Sequence, residues 1–150
     1  MEFPNEESKW VWMAAILDTD GSITLQKRGK GKTIYKRGFQ WATCLTFTQT
    51  NLELIEQLRE ISKTGVIHNQ TLKSGNSAFR LVISSEGMRV ILPKLFPYLI
   101  KKRKQTKLIL EALSLLKEHH SKYTPHDSRL EEIYLKLISL HEKGRRLIRR

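Results

Sequence analysis

A chain of 150 residues with 39% hydrophobic content is long enough for one domain with a full core and too short for two of ordinary size. Its one cysteine, Cys44, excludes an internal disulfide framework, argues against a thiolate zinc site and points to a reducing setting, the cytoplasm or an organellar interior. A net charge of +12 excludes indifference to polyanions and favours nucleic acid or an anionic membrane surface as partner.

The distribution of charge decides between the two. Basic residues concentrate at 27–37, 101–107 and 143–150, and only the last cluster sits on something like a basic amphipathic helix. A membrane partner would leave the first two unexplained, and no apolar run approaches membrane-spanning length. Glu2, Asn5, Glu6, Glu7 and Lys9 interrupt any signal-peptide pattern.

In chain order, residues 6–20 read as a helix with Trp10, Met13, Ala14 and Leu17 along one stripe. At Gly21 the period changes from helical to alternating, and a strand runs from Ser22 to about Arg28. A basic turn at 29–32 leads into a return strand over roughly 33–48, bent near Gly38. Phe39, Trp41, Leu45 and Phe47 share one parity, with Thr43 the exception, and Gln40, Ala42, Cys44, Thr46 and Thr48 share the other. Thr50-Asn51-Leu52-Glu53 has capping-box spacing and opens a helix that Gly65 ends, with Leu54, Ile55, Leu58 and Ile61 buried. Strands at 66–72 and 77–83 form a second hairpin, with Phe79, Leu81 and Ile83 inside and His68, Gln70 and Arg80 outside.

A short helix follows over 86–95, capped by Ser84 or Ser85 and bounded by Pro93 and Pro97. A long helix begins near Lys101 and turns Leu108, Leu110, Ala112, Leu115 and Leu116 towards the core. After a linker at Tyr123-Thr124-Pro125, Ser128-Arg129-Leu130-Glu131 caps a last helix with Ile133, Leu137 and Leu140 in its stripe.

The first helix delivers two acids to its own C-terminal end, where the macrodipole makes a carboxylate unfavourable by about 0.3–1 kcal/mol, so a positive group should lie nearby. A calcium loop is excluded, because with Gly21 as its glycine the first ligand position is Ile16 and the bidentate glutamate position is Lys27. The stretch Met13-Ala14-Ala15-Ile16-Leu17-Asp18-Thr19-Asp20-Gly21 instead resembles the LAGLIDADG signature of homing endonucleases and maturases. It is identical at Ala14, Asp18, Asp20 and Gly21 and departs at Ala15, usually glycine, and at Thr19, usually a small residue. In that family two motif helices pack across a two-fold axis, so Thr19 adds bulk to the lower part of the contact. The element order extends the resemblance over about residues 8–118, with 119–150 a C-terminal helical extension of one domain.

The resemblance implies an α+β, αββαββα fold with a saddle-shaped antiparallel sheet and extra C-terminal helices. With one motif and no internal repeat, the chain is expected to act as a homodimer on double-stranded DNA. Asp20 is the expected metal ligand, with the Thr19 backbone carbonyl assisting and Mg²⁺ as the cofactor; Asp18 takes a structural role. Gln49 corresponds to a glutamine that orients active-site water. Lys102 corresponds to a lysine that activates water or stabilises the phosphate, with Lys101 and Lys104 leaving the register open by a residue. A plain phosphate-binding helix start is the bland reading of that cluster.

The DNA-facing set comes from the outer parity and the basic turns. On the first hairpin it comprises Ser22, Thr24, Gln26 and Arg28, then Lys30, Lys32, Tyr35 and Lys36, then Gln40, Cys44, Thr46 and Thr48. On the second it comprises His68, Gln70, Lys73 and Arg80. Glutamine suits adenine and arginine suits guanine in a major groove. His119, His120, His126 and His141 share no ligand spacing, and Arg145, Arg146, Arg149 and Arg150 either contact phosphates or are disordered. The resulting expectation is an intron-encoded site-specific endonuclease leaving short 3′ overhangs. The alternatives are an RNA maturase with intron RNA as partner, a non-cleaving DNA-binding relative or, more weakly, a membrane-surface protein.

Overall fold

The computed structural model describes residues 2–29, 38–117 and 127–148. Helix α1 spans Glu6–Asp20, strand β1 Gly21–Arg28, strand β2 Gln40–Gln49 and helix α2 Leu52–Ser62. Strands β3 (Val66–Thr71) and β4 (Ser77–Ile83) follow, then helix α3 (Ser85–Leu95), a 3-10 turn at Phe96–Tyr98, helix α4 (Arg103–Lys117) and helix α5 (Asp127–Ile148). The four strands form one antiparallel sheet in the order β1-β2-β4-β3, and the fold is α+β as expected.

Local chemistry sets the boundaries. Asn5 Oδ1 accepts the Ser8 backbone N–H at 2.8 Å, and Glu6 and Glu7 place negative charge at the positive end of α1. At the other end a Cβ on Gly21 would run into the Leu17 side chain and lie 3.0 Å from the Leu17 carbonyl oxygen. Only glycine lets the chain pass from helix to strand in that space. The α2 cap is Asn51, whose Oδ1 accepts from Leu54 N at 3.1 Å, rather than the threonine one residue earlier.

The helices lie on the inner face of the sheet, where Ile23, Leu25, Trp41, Leu45, Phe47, Leu81 and Ile83 meet Met13, Leu17, Ile55, Leu58, Ile91 and Leu92. Each such side chain contributes about 1.5–3 kcal/mol on burial. The exposed Lys9–Glu6 pair, at 3.2 Å, adds under about 1 kcal/mol, so Met13 and Leu17 hold α1 in place.

Other expectations need correction. Pro93 lies inside α3 rather than at its end, one turn before the C-terminus, so only the Arg89 carbonyl loses its helical donor. The buried stripe of α4 is Thr106, Ile109, Ala112 and Leu113, with Leu108, Leu110, Leu115 and Leu116 only partly covered. In α5 Leu130 joins Ile133 and Leu137 in the core while Leu140 is half-exposed. Those three residues make α5 continuous with the main core. It is clamped to the sheet by Trp41 Nε1 donating to Asp127 Oδ1 at 2.9 Å and by a Lys27–Glu131 ion pair at 2.8 Å. Lys30, Lys32, Tyr35, Lys36, the turn and the strand start assigned to 30–37 lie outside the described residues, as do the 123–125 linker, His119, His120, His126, Arg149 and Arg150. Among the described residues no helix is long and apolar enough to cross a membrane.

Candidate active site

The last carbonyls of a helix have no intrahelical donors, so the end of α1 is electronegative before any side chain is counted. Two acids two residues apart then meet different surroundings. Asp18 faces the protein: Oδ2 accepts the Ile100 N–H at 2.8 Å and Oδ1 accepts the Lys102 N–H at 2.9 Å, which pins the entry to α4 against α1. Lys102 Nζ returns to donate to the Asp18 carbonyl oxygen at 3.0 Å. This is the positive group that the helix end requires.

Of the three candidate lysines, Lys101 and Lys104 are exposed while Lys102 is half-buried against α1. Burial, and then repulsion from Lys101, hold the Lys102 pKa below the usual lysine range, against the opposing pull of Asp18 and Asp20. Asp20 is exposed, and its Oδ2 accepts from Gln49 Nε2 at 2.6 Å. Gln49 can reach it because β2 ends beside the start of β1, where Phe47 pairs with Gly21. Asp20, Gln49 and Lys102 therefore converge on one helix end from three elements.

The donor set suits a hard cation. It consists of an exposed carboxylate with one oxygen held by an amide, beside terminal peptide carbonyls that include Thr19, with no imidazole or thiolate. No cluster of three or more histidine, cysteine or acidic side chains exists among the described residues. Thr19 Oγ1 donates to the Ala15 and Ile16 carbonyls at 3.1 and 3.2 Å, so the hydroxyl folds back onto its own helix. With Val11 and Ala15 it forms an exposed stripe at four-residue spacing, low in profile for the contact in which Thr19 was expected to add bulk.

The outer face of the sheet carries Ser22, Thr24, Gln26 and Arg28 on β1, Gln40, Thr46 and Thr48 on β2, Arg80 on β4, and His68 and Gln70 on β3. None of the described strand positions on this face is acidic. Lys73 is exposed in the β3–β4 turn. Cys44 departs from its assignment: it has the outer parity but is only 4% exposed, so its thiol is not offered to a partner. Val66 and Val82 were not singled out, yet they complete a cross-strand row with Ser22 and Thr46. Their parity with His68 and Arg80 was the available signal.

No family model matches the chain. The DNA endonuclease I-CvuI of Chlorella vulgaris is 28% identical over 114 residues, 75% of this chain and 68% of that protein. A crystal structure of I-CvuI in complex with the I-CreI target in the presence of Mg, with the DNA not cleaved, superposes with a TM-score of 0.75 at 26% identity, over 90% of this chain and 83% of that one. The LAGLIDADG homing endonuclease I-SmaMI bound to cleaved DNA gives 0.64 at 27% identity, over 84% of this chain but only 41% of that one. The archaeal intron-encoded homing endonuclease I-Vdi141I complexed with DNA shares the fold, with a TM-score of 0.76 at 17% identity over 91% of this chain and 86% of that one. Sequence likeness over three quarters of the chain and a common fold over nine tenths of it converge: in sequence and in fold this chain is similar to LAGLIDADG homing endonucleases.

Proposed function

We propose that the chain is a site-specific endonuclease that hydrolyses both strands of a DNA target, acting as a homodimer with Mg²⁺ at the two-fold axis. The observation that carries this reading is the convergence of Asp20, Gln49 and Lys102 at one helix end, at the margin of an acid-free sheet face.

A divalent cation, when bound, supplies Lewis-acid stabilisation of charge on the attacking and leaving oxygens. Asp20 and the Thr19 carbonyl would hold it, and Mg²⁺ fits a site with few protein ligands because it keeps several waters. Gln49 fixes the Asp20 carboxylate by holding Oδ2, which leaves the other oxygen directed away from the amide. Lys102, seated on the Asp18 carbonyl, would stabilise charge gained by a phosphate oxygen. Asp18 acts through position, by holding the Lys102 backbone.

The homodimer is supported by the single motif helix and by the Val11, Ala15 and Thr19 stripe that its own fold leaves exposed. I-SmaMI, of which this chain spans 41%, is long enough to hold two such units. The whole chain would work as one domain, its core about 8–118 and its extension about 119–150, in a reducing cytoplasmic or organellar interior. The retention of Asp20, Gln49 and Lys102 at one helix end runs against a binding protein that has lost cleavage, though not against an added maturase function.

Asp20→Asn tests the reading on duplex that joins the sequences flanking the chain's own reading frame. Cutting should be abolished while DNA affinity stays within about tenfold, roughly 1.4 kcal/mol. Equal nicking by variant and wild type would end the enzyme assignment.

A further inference from the structure

Thr24, Gln26 and Arg28 occupy alternate positions on β1, and their side chains form a chain of contacts. Arg28 Nε donates to Gln26 Oε1 at 3.1 Å, and Gln26 Nε2 donates to Thr24 Oγ1 at 3.1 Å. A glutamine that reads adenine needs both its amide oxygen and its amide N–H for the base edge. Here the arginine occupies one lone pair of the oxygen and the threonine one N–H, which fixes the plane of the amide along the strand. An arginine that reads guanine needs two N–H groups aimed at O6 and N7. The contact at Nε leaves both terminal nitrogens of Arg28, whose side chain has no other hydrogen-bond partner among the described residues.

The strand is held from the opposite side at the same place. Lys27, between the two, points inward, pairs with Glu131 at 2.8 Å and lies within 4.8–5.3 Å of the ring centroids of Phe39, Trp41 and Tyr134. The backbone that presents Arg28 is thus anchored beneath while its guanidinium is oriented above, so less side-chain freedom remains to be lost on binding.

We propose that Arg28 is the guanine-reading residue of β1, and that Gln26, held by Thr24, is its positioning residue rather than a reader of adenine. The inference rests on the sheet being the DNA-binding face. Arg28 is the last of the eight residues of a strand that starts beside Asp20. At about 3.3 Å per residue it lies roughly 26 Å from the helix end, or about eight base pairs along B-form DNA. The selected guanine should fall near that distance from the target centre in each half-site.

The probe is a duplex library randomised through its central base pairs, enriched by binding to the purified homodimer and then sequenced. Binding enrichment reads recognition independently of cutting, so a protein that enriches sequences without cleaving them would sink the enzyme assignment and leave this one standing. Wild type should prefer guanine over other bases at one symmetric pair by about tenfold to a hundredfold. Arg28→Ala should erase that preference. Gln26→Ala should weaken it at the same pair and nowhere else, and add nothing once Arg28 is gone. Gln26→Glu, which keeps the oxygen that Arg28 uses, should restore the base ranking even as the added charge lowers affinity overall. Matching melting curves establish that the variants are folded.

Three outcomes overturn the proposal. Gln26→Ala could erase an adenine preference at a neighbouring pair while guanine is still selected. Arg28→Ala could weaken all sequences alike and flatten the salt dependence by about one phosphate contact. The wild type could enrich nothing.

Discussion

Lys102 and Lys27 are both drawn inward at opposite ends of β1, and they differ in how completely their charge is answered. Lys27 is saturated: one carboxylate and three aromatic faces surround its ammonium, and its side chain is 18% exposed. Lys102 has a backbone carbonyl as its hydrogen-bond acceptor and, among the described residues, no carboxylate paired to it, while burial and Lys101 make its charge costly. A cation whose partners are complete stabilises a fold. A cation seated on the open end of a helix still has charge to give a phosphate.

Removing each lysine sharpens that contrast. Lys102→Met should lower the single-turnover cleavage rate by about 10²–10³-fold, the usual cost of one positioned charge at a developing oxyanion, while DNA affinity changes by less than about tenfold. A variant that binds less tightly in proportion to its loss of cutting would make Lys102 a phosphate anchor only. Lys27→Met should show first in stability. Denaturant unfolding should report a loss of about 1–3 kcal/mol, because Glu131 loses its partner and the cation-π contacts vanish together. A stability equal to wild type would mean that Leu130, Ile133, Leu137 and the remaining polar contacts of α5, among them Trp41–Asp127, dock the helix without the Lys27–Glu131 pair.

The same contrast explains what the sequence could convey. Met13–Gly21 stated its own structure because helix and strand periods meet there and a glycine marks the joint, and α1 runs over Glu6–Asp20 as read. The family resemblance nominated Asp20, Gln49 and Lys102, and the fold brings all three to that joint. What stayed hidden depends on partners far away in the chain. Lys27 has inner parity, yet nothing local says that Glu131, 104 residues later, will neutralise it. The stripe of α4 was ambiguous because leucine or isoleucine fills Leu108, Ile109, Leu110, Leu113, Leu115 and Leu116, so several helical faces are apolar and packing chooses among them. Cys44 was placed by parity alone, and parity gives the side of a sheet, not how deeply neighbours cover it.

The smallest effect expected lies at the second attachment of α5, to α4, where Arg129 holds Glu111 in a two-point contact, with Nη2 to Oε1 at 2.7 Å, and also reaches Glu132 at 2.7 Å. The hydrogen bond from Arg129 keeps the Glu111 carboxyl below its ordinary value of 4.5. With the folded-state value depressed, the unfolded chain binds more protons between the two values. The stabilisation is therefore complete above the ordinary pKa and is lost as pH falls through the depressed one. Because both side chains are more than a third exposed, solvent screening keeps the effect small. Melting temperatures compared at neutral and mildly acidic pH should show Glu111→Gln lowering the neutral value by no more than about 2–4 °C and shrinking the acid-induced drop. An acid response unchanged by Glu111→Gln would assign it to other carboxylates, and the polar contacts that hold α5 would then be those to the sheet, Trp41–Asp127 and Lys27–Glu131.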